Sequence, residues 1–171
     1  MTLEQIVALL REARPATSAP AADFSAWRAS LRVEGDPFVA AMRFGLAAGQ
    51  LAFAFAGGYQ AALRRLLPAL PATAFAALLL SEGRRQRPDE LQTTLVPLGG
   101  GRYRLDGEKS YVTGAAVADP LLVVARNGVA PDGRIVSALL VLPPDLPGIR
   151  QEAGRDLGFL TALPHGRARF E

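Results

Sequence analysis

Few side chains in this chain of 171 residues are of types that take part in chemistry. There is no cysteine, and the one histidine, His165, has no acidic residue near it in the sequence. This composition excludes thiolate metal sites and cysteine nucleophiles, and it offers no convincing Ser-His-Asp triad or metal cluster. Arg84, Arg85 and Arg87 have guanidinium groups that suit phosphate oxygens, although such a run is more often a solvated loop.

Hydroxyl and aromatic groups occur together in residues 101–113, whose sequence is GRYRLDGEKSYVT. Apolar residues alternate with arginines over the first part, which predicts a half-buried strand. The Asp-Gly pair at 106–107 predicts a type I′ turn. The segment would then be a β-hairpin, with Lys109, Tyr111 and Thr113 on one face of its return strand. Tyr111 and Thr113 can contact a ligand there, but a strand tyrosine is usually core and a threonine usually bonds neighbouring backbone.

The bulk composition limits the class of protein. Half of the residues are hydrophobic and the net charge is +3, so we expect a folded core rather than global disorder. The arginines are scattered and Lys109 is the only lysine, which argues against a nucleic-acid-binding surface. Residues 44–63 carry no charge, but their glycine, glutamine and alanine content favours a buried helix over a membrane span. The N-terminus has no signal-peptide features, which, with the absence of cysteine, predicts a cytoplasmic protein.

Helix signals dominate residues 1–70. Thr2 and Gln5 have the spacing of a capping box, and the Asp-Pro pair at 36–37 predicts the start of a longer helix. We expect that helix to pause at the glycine pair 57–58 and to resume beyond it. The predicted helices end near Arg14-Pro15, near Val33 and before Pro68, and a linker occupies residues 16–22.

After Pro71 the pattern changes to short strands separated by turn signals, which predicts a β-barrel or sandwich. The predicted fold is therefore α+β, with a helical N-terminal part at residues 1–70 and an antiparallel β-barrel or sandwich at residues 71–171. The predicted strands are Phe75–Ser81, Leu91–Pro97, Arg102–Asp106, Ser110–Thr113, Leu121–Arg126, Ile135–Leu142, Gly148–Glu152 and Arg167–Phe170.

The order of motifs in the second half resembles the middle β-domain of the acyl-CoA dehydrogenases, which are FAD enzymes that oxidise acyl thioesters. Residues 101–113 resemble the family segment "G-x-x-x-L-N-G-x-K-x-W-I-T-N", with Tyr111 in place of the tryptophan. Further resemblances are Leu80-Ser81-Glu82 to "L-T-E-P", Thr93-Thr94 to "T-T-A", residues 118–126 to "A-D-x-x-x-V-x-A-R", residues 135–149 to "F-L-V-P…P-G-L/V", and Leu157-Gly158-Phe159 to "L-G-x-R" without its arginine.

The resemblance implies a binding site for the flavin ring of FAD. Ser81 would hydrogen-bond the pyrimidine edge of the ring, together with backbone groups near Leu80 and Glu82. Thr113 would bond near ring atom N5, and Tyr111 would lie beside the ring. The family's "E-P-x-x-G-S-D" loop has no close counterpart, because residues 82–89 read EGRRQRPD.

In the family, a C-terminal helical domain carries the glutamate that removes the substrate's α-proton. The sequence stops at Glu171, so no catalytic residue is assigned. The resemblance implies an FAD-dependent oxidoreductase for an acyl-CoA-like thioester, either truncated or completed by a helical partner subunit or a homo-oligomer. The alternative is a non-catalytic binding module that kept the fold, which the changed loop and Tyr111 favour.

Overall fold

The computed structural model describes residues 2–12, 21–83, 90–154 and 158–171. Clustering of contacts divides the chain into two compact units, Met1–Thr73 and Ala74–Glu171. Helices occupy the first unit and strands the second, so the predicted α+β fold class is confirmed. Several predicted features lie outside the described residues: the helix end at Arg14-Pro15, most of the linker at 16–22, the arginines at 84, 85 and 87, and Leu157.

The helical unit begins each helix where the sequence places a cap. Thr2 and Gln5 exchange side-chain-to-backbone hydrogen bonds of 2.8 and 3.3 Å, as a capping box requires. The Asp36 carboxylate accepts from the backbone N–H groups of Phe38 and Val39, which satisfies donors that a helix start leaves free. The helices are α1 (Leu3–Glu12), α2 (Phe24–Ala29), α3 (Pro37–Ala47) and α4 (Leu51–Leu66).

The predicted pause at Gly57-Gly58 is wrong. The helical conformation is instead interrupted at residues 48–50, and α4 runs through both glycines. The physical reason is packing between α3 and α4. A Cβ on Gly57 would clash with the Phe44 side chain, whereas a Cβ on Gly58 would meet nothing within 4 Å. Gly57 is therefore a close-approach position within a helix. Within the described residues, no helix is long and apolar enough to cross a bilayer.

The β unit is a seven-stranded sheet with the path β1-β4-β2-β3-β7-β6, and β5 pairs with β4. Strands β1 and β2 each run parallel to β4, and the other pairs are antiparallel. Over the described residues the sheet is mixed and open rather than an antiparallel barrel, a distinction that side-chain alternation within single strands does not encode. The strands are β1 (Ala77–Leu79), β2 (Thr94–Gly99), β3 (Arg102–Thr113), β4 (Leu121–Val129), β5 (Ile135–Leu142), β6 (Ile149–Ala153) and β7 (His165–Phe170).

The predicted hairpin turn at Asp106-Gly107 is wrong, because β3 is one continuous strand from Arg102 to Thr113. The turn lies instead at glycines 99–101, which all have positive φ and connect β2 to β3. At Gly107 strand β3 leaves β2 and begins to pair with β7. A Cβ on Gly107, whose φ is 141°, would lie 2.7 Å from the Thr93 Cα. The glycine therefore permits a close backbone contact rather than a turn.

The two adjacent glycines of α4 give a matched test of the helix packing. We expect Gly57→Ala to lower the free energy of unfolding by about 1–3 kcal/mol, since the new methyl group clashes with Phe44. Gly58→Ala gains the same helix propensity without the clash, so it should raise the free energy of unfolding by up to about 1 kcal/mol. Urea unfolding can be followed by fluorescence of Trp27, the only tryptophan, which stacks on Phe53 in this unit. Equal effects of the two substitutions would contradict the packing described here.

Candidate functional site

A buried ion pair lies between the end of β1 and the middle of β3. Lys109 Nζ is 2.6 Å from Glu82 Oε1 and 3.3 Å from the carbonyl oxygen of Leu80, and the Lys109 side chain is fully buried. The Glu82 carboxylate also accepts from the backbone N–H groups of Thr93 at 2.9 Å and Gln92 at 2.6 Å. The pair therefore joins the end of β1, the segment entering β2, and β3.

Opposing effects set the protonation of this pair. Burial by itself raises the pKa of the Glu82 carboxyl, but hydrogen bonds from Lys109, Thr93 and Gln92 outweigh it, so the pKa lies below its ordinary value. Burial lowers the pKa of the Lys109 ammonium, and the neighbouring carboxylate only partly offsets that effect. Glu82 is thus held as a carboxylate at neutral pH with its oxygens engaged. Its side chain is therefore not available to a ligand.

Leu80 and Ser81 follow β1 and lie against β3. The carbonyl oxygen of Ser81 accepts a hydrogen bond of 2.8 Å from the backbone N–H of Ser110. Leu80 leaves 53% of its surface exposed, although its carbonyl oxygen faces Lys109. Within the described residues, the Ser81 hydroxyl has no side-chain hydrogen bond, so it can still bind a ligand.

Tyr111 lies in a β-bulge of β3. The register between β3 and β7 shifts between Lys109 and Val112, and Tyr111 has a φ of 56°, which is rare for a bulky residue. The bulge breaks the alternation of the strand, so the prediction that Lys109 and Tyr111 share a face is wrong. Lys109 and Val112 are buried, whereas 56% of the Tyr111 surface is exposed. A strained, exposed aromatic residue beside a rigid ion pair is a typical feature of ligand sites.

Thr113 ends β3 and pairs with His165, the first residue of β7. Thr113 Oγ1 and His165 Nδ1 are 3.4 Å apart. The other ring nitrogen, His165 Nε2, is buried and has no hydrogen-bond partner among the described residues. The Phe159 ring lies against the imidazole, with 6.0 Å between the ring centroids. Two half-buried polar side chains therefore meet at the end of the strand that carries Tyr111.

The structure brings the predicted residues together along β3. Leu80, Ser81 and Glu82 contact β3 directly before its bulge, and Tyr111 and Thr113 follow within the same strand. Sequence reasoning missed the two partners that hold this arrangement, Lys109 and His165. Lys109 is the only lysine and His165 the only histidine of the chain, and this rarity is the sequence signal that could have identified them.

A second concave feature lies elsewhere in the β unit. It is an apolar cavity of about 420 Å³, named here the β2–β6 cavity, and none of the predicted site residues lines it. The described part of the chain also has no group of three His, Cys, Asp or Glu residues able to hold a metal ion. The lining residues are Leu95, Leu98, Tyr103, Arg104, Leu105, Leu140, Leu142, Leu146, Pro147, Gly148, Ile149, Phe170 and Glu171.

Helices followed by this open mixed sheet are the fold of the N-terminal and middle parts of acyl-CoA dehydrogenases, and the resemblance seen in the sequence is confirmed. Over 109 residues (63% of the chain) the sequence is 33% identical to the probable acyl-CoA dehydrogenase FadE10 of Mycobacterium tuberculosis, and the match covers 17% of that protein. No protein-family model matches the chain.

Two solved structures show how much of such a protein the chain represents. A FAD-dependent dehydrogenase aligns with 100% of this chain and 55% of its own, at a TM-score of 0.75 and 22% identity. An acyl-CoA dehydrogenase of Bacillus anthracis, solved in complex with FAD, aligns with 79% of this chain and 25% of its own, at a TM-score of 0.56 and 22% identity. The aligned part of the chain therefore covers between 17% and 55% of the length of these three proteins.

We expect the buried ion pair to dominate the stability of the β unit. Glu82→Gln leaves the Lys109 ammonium buried without a counter-charge and should lower the free energy of unfolding by about 3–5 kcal/mol. The matched control is Glu152→Gln, which breaks an exposed pair with Arg167 and should cost less than about 1 kcal/mol. Urea unfolding followed by far-UV circular dichroism measures both. Similar small losses in the two variants would contradict a structural role for the pair.

The lowered pKa of Glu82 also predicts a pH dependence. As the pH falls below the ordinary value of 4.5, Glu82 protonates first in the unfolded chain, so the folded wild type loses the stability that this carboxylate supplies. Glu82→Gln has no such group. The stability gap between wild type and Glu82→Gln should therefore shrink as the pH falls below about 4.5. A gap that stays unchanged down to about pH 3 would show that the carboxyl is not held in its charged form.

Proposed function

We propose that the β unit binds the flavin ring of FAD at the edge formed by Leu80, Ser81, Tyr111 and Thr113. The observation that carries this is the exposed Tyr111 ring, held at a strained bulge directly after Ser110, whose backbone N–H bonds the carbonyl oxygen of Ser81. Planar ligands gain binding energy from such rigid aromatic surfaces. The B. anthracis relative solved with FAD has a similar fold, which supports the choice of ligand.

The polar atoms around this edge fit a flat heterocycle. The Ser81 hydroxyl can donate to or accept from a ring edge, and Leu80 offers an apolar side chain beside it. Within the described residues, His165 Nε2, on the side of the ring away from Thr113, is a buried nitrogen without a partner, and such an atom is rare in a finished core. Glu82 would hold the backbone of residues 80–82 in place through Lys109 rather than touch the ligand.

In this proposal the chain's residues bind and orient the ring. Tyr111 would lie along the ring, Ser81 would fix one edge, and Thr113 would place its hydroxyl near the other. Bound FAD would supply the acceptor for a hydride from an acyl-CoA-like thioester. The rigid ion pair beneath the site would keep these groups in place without reorganisation.

The proton transfer that accompanies such an oxidation needs a base. Glu82 is the carboxylate nearest to Ser81 in the sequence, and its oxygens are engaged with Lys109 and two backbone N–H groups. We therefore propose that the base comes from outside the described site, on a helical partner subunit or another copy of the chain. In that complex the enzyme would be an acyl-CoA-dehydrogenase-like oxidoreductase.

A non-catalytic binding module is the second candidate. Tyr111 offers less contact area than the tryptophan of the family pattern, which favours weaker binding. The two functions differ in one measurable respect. A binding module would retain flavin but would not reduce it when an acyl-CoA thioester and the proposed helical partner are added, whereas the split enzyme would bleach the flavin absorbance.

Two tyrosines of β3 provide a matched test of the ring site. Tyr111 and Tyr103 have nearly equal exposure, 56% and 57%, but only Tyr111 lies at the bulge. Tyr111→Ala should weaken FAD binding about tenfold, because the aromatic contact is lost, and Tyr111→Trp should strengthen it. Tyr103→Ala should leave the dissociation constant unchanged. Quenching of flavin fluorescence on titration measures all three.

Equal losses in Tyr111→Ala and Tyr103→Ala would place the flavin elsewhere or show non-specific binding. A well-folded wild-type chain that retains no flavin spectrum after gel filtration, at FAD concentrations up to about 1 mM, has a dissociation constant too weak for the proposed role. That result would overturn the proposed function.

A further inference from the structure

The pairing of Thr113 with His165 leaves one question of chemistry, which is where the imidazole carries its proton. Thr113 Oγ1 lies 3.4 Å from Nδ1, and the opposite nitrogen, Nε2, is buried with no hydrogen-bond partner in the part of the chain that the structure describes. A neutral imidazole has one N–H donor and one acceptor nitrogen. With the proton on Nε2, an N–H donor is left unsatisfied there. With the proton on Nδ1, only an acceptor lone pair is left unsatisfied at Nε2.

The surroundings of the ring favour a proton on Nδ1. If Nε2 carried the proton, a buried N–H would have no acceptor, and orphaned buried N–H groups are rarer than under-satisfied acceptors. If Nδ1 carries it, the N–H points at Thr113 Oγ1 and only a lone pair is left unused. The Phe159 ring beside the imidazole offers no acceptor in the plane of the ring. These contacts favour the tautomer with its proton on Nδ1.

We propose that His165 is a positioning residue that directs the Thr113 hydroxyl proton. Because Nδ1–H donates to Thr113 Oγ1, the threonine cannot donate to the imidazole, and its own O–H points away from His165. Thr113 is then a donor for a ligand at the end of β3. The role of Thr113 toward flavin rests on the ring site proposed above. There, an unprotonated nitrogen of the flavin ring would accept a hydrogen bond from the Thr113 hydroxyl.

The histidine tautomer is directly measurable in the free chain. His165 is the only histidine, so its ring nitrogens give unique signals in ¹⁵N-detected NMR without assignment by mutation. In the neutral imidazole we expect a protonated Nδ1 and an unprotonated Nε2. Thr113→Val should shift the equilibrium toward the form with the proton on Nε2, and Thr113→Ser should restore the wild-type signals.

Thr94→Val is the control, because Thr94 lies on β2 and pairs with Asp106 instead. It should leave the imidazole signals unchanged. A wild-type chain with its proton on Nε2 would overturn the inference, as would Thr113→Val spectra identical to those of the wild type.

A double-mutant cycle on FAD affinity tests the role toward the ligand. His165→Phe should weaken binding about three- to tenfold, the effect of one misdirected hydrogen bond, and should have no further effect in a Thr113→Val background. His165→Asn, which keeps an N–H donor, should recover part of the loss. Fully additive losses would mean that His165 does not act through Thr113. If the wild type binds no FAD, the proposed function fails, and the NMR result alone decides the His165–Thr113 bond.

Discussion

The buried contact between Lys109 and Glu82 is the interaction on which the rest of the β unit depends. A fully buried ammonium is tolerated only with a carboxylate beside it, and the same carboxylate holds two backbone N–H groups before β2. One ion pair therefore connects the end of β1, the start of β2 and the middle of β3. Together with the backbone hydrogen bond from Ser110 to Ser81, it holds Leu80 and Ser81 against the strand that carries Tyr111.

The shape of β3 follows from two local departures from a regular strand. At Gly107 the strand passes within van der Waals contact of Thr93 and changes its partner from β2 to β7. Four residues later, at Tyr111, a bulge turns an aromatic side chain outward. Both departures lie next to Lys109, which is buried between them. The candidate site is thus a consequence of how one strand joins two halves of an open sheet, rather than of a flexible loop.

The sequence predicts those features that depend on neighbours in the chain, and it fails where distant contacts decide. The cap at Asp36 is local chemistry, and it was predicted correctly. Gly57 and Gly107 look like breaks or turns, but each is needed for a close contact with an element far away in the sequence, Phe44 and Thr93 respectively. Side-chain alternation placed Lys109 on the face of Tyr111 because a bulge leaves no mark in the period of a strand. The backbone hydrogen bond between Ser110 and Ser81 joins residues far apart in the sequence, and no local pattern predicts it.

In the proposed site the β unit contacts FAD through its flavin ring. The most direct measurement is titration of the ¹⁵N-labelled chain with lumiflavin, which has the ring but no phosphate or adenine, followed by amide NMR spectra. We expect saturable changes in the amide chemical shifts of Ser81, Tyr111 and Thr113. The amide chemical shifts of the residues that line the β2–β6 cavity should not change. The absence of saturable shifts, or shifts confined to the β2–β6 cavity, would contradict it.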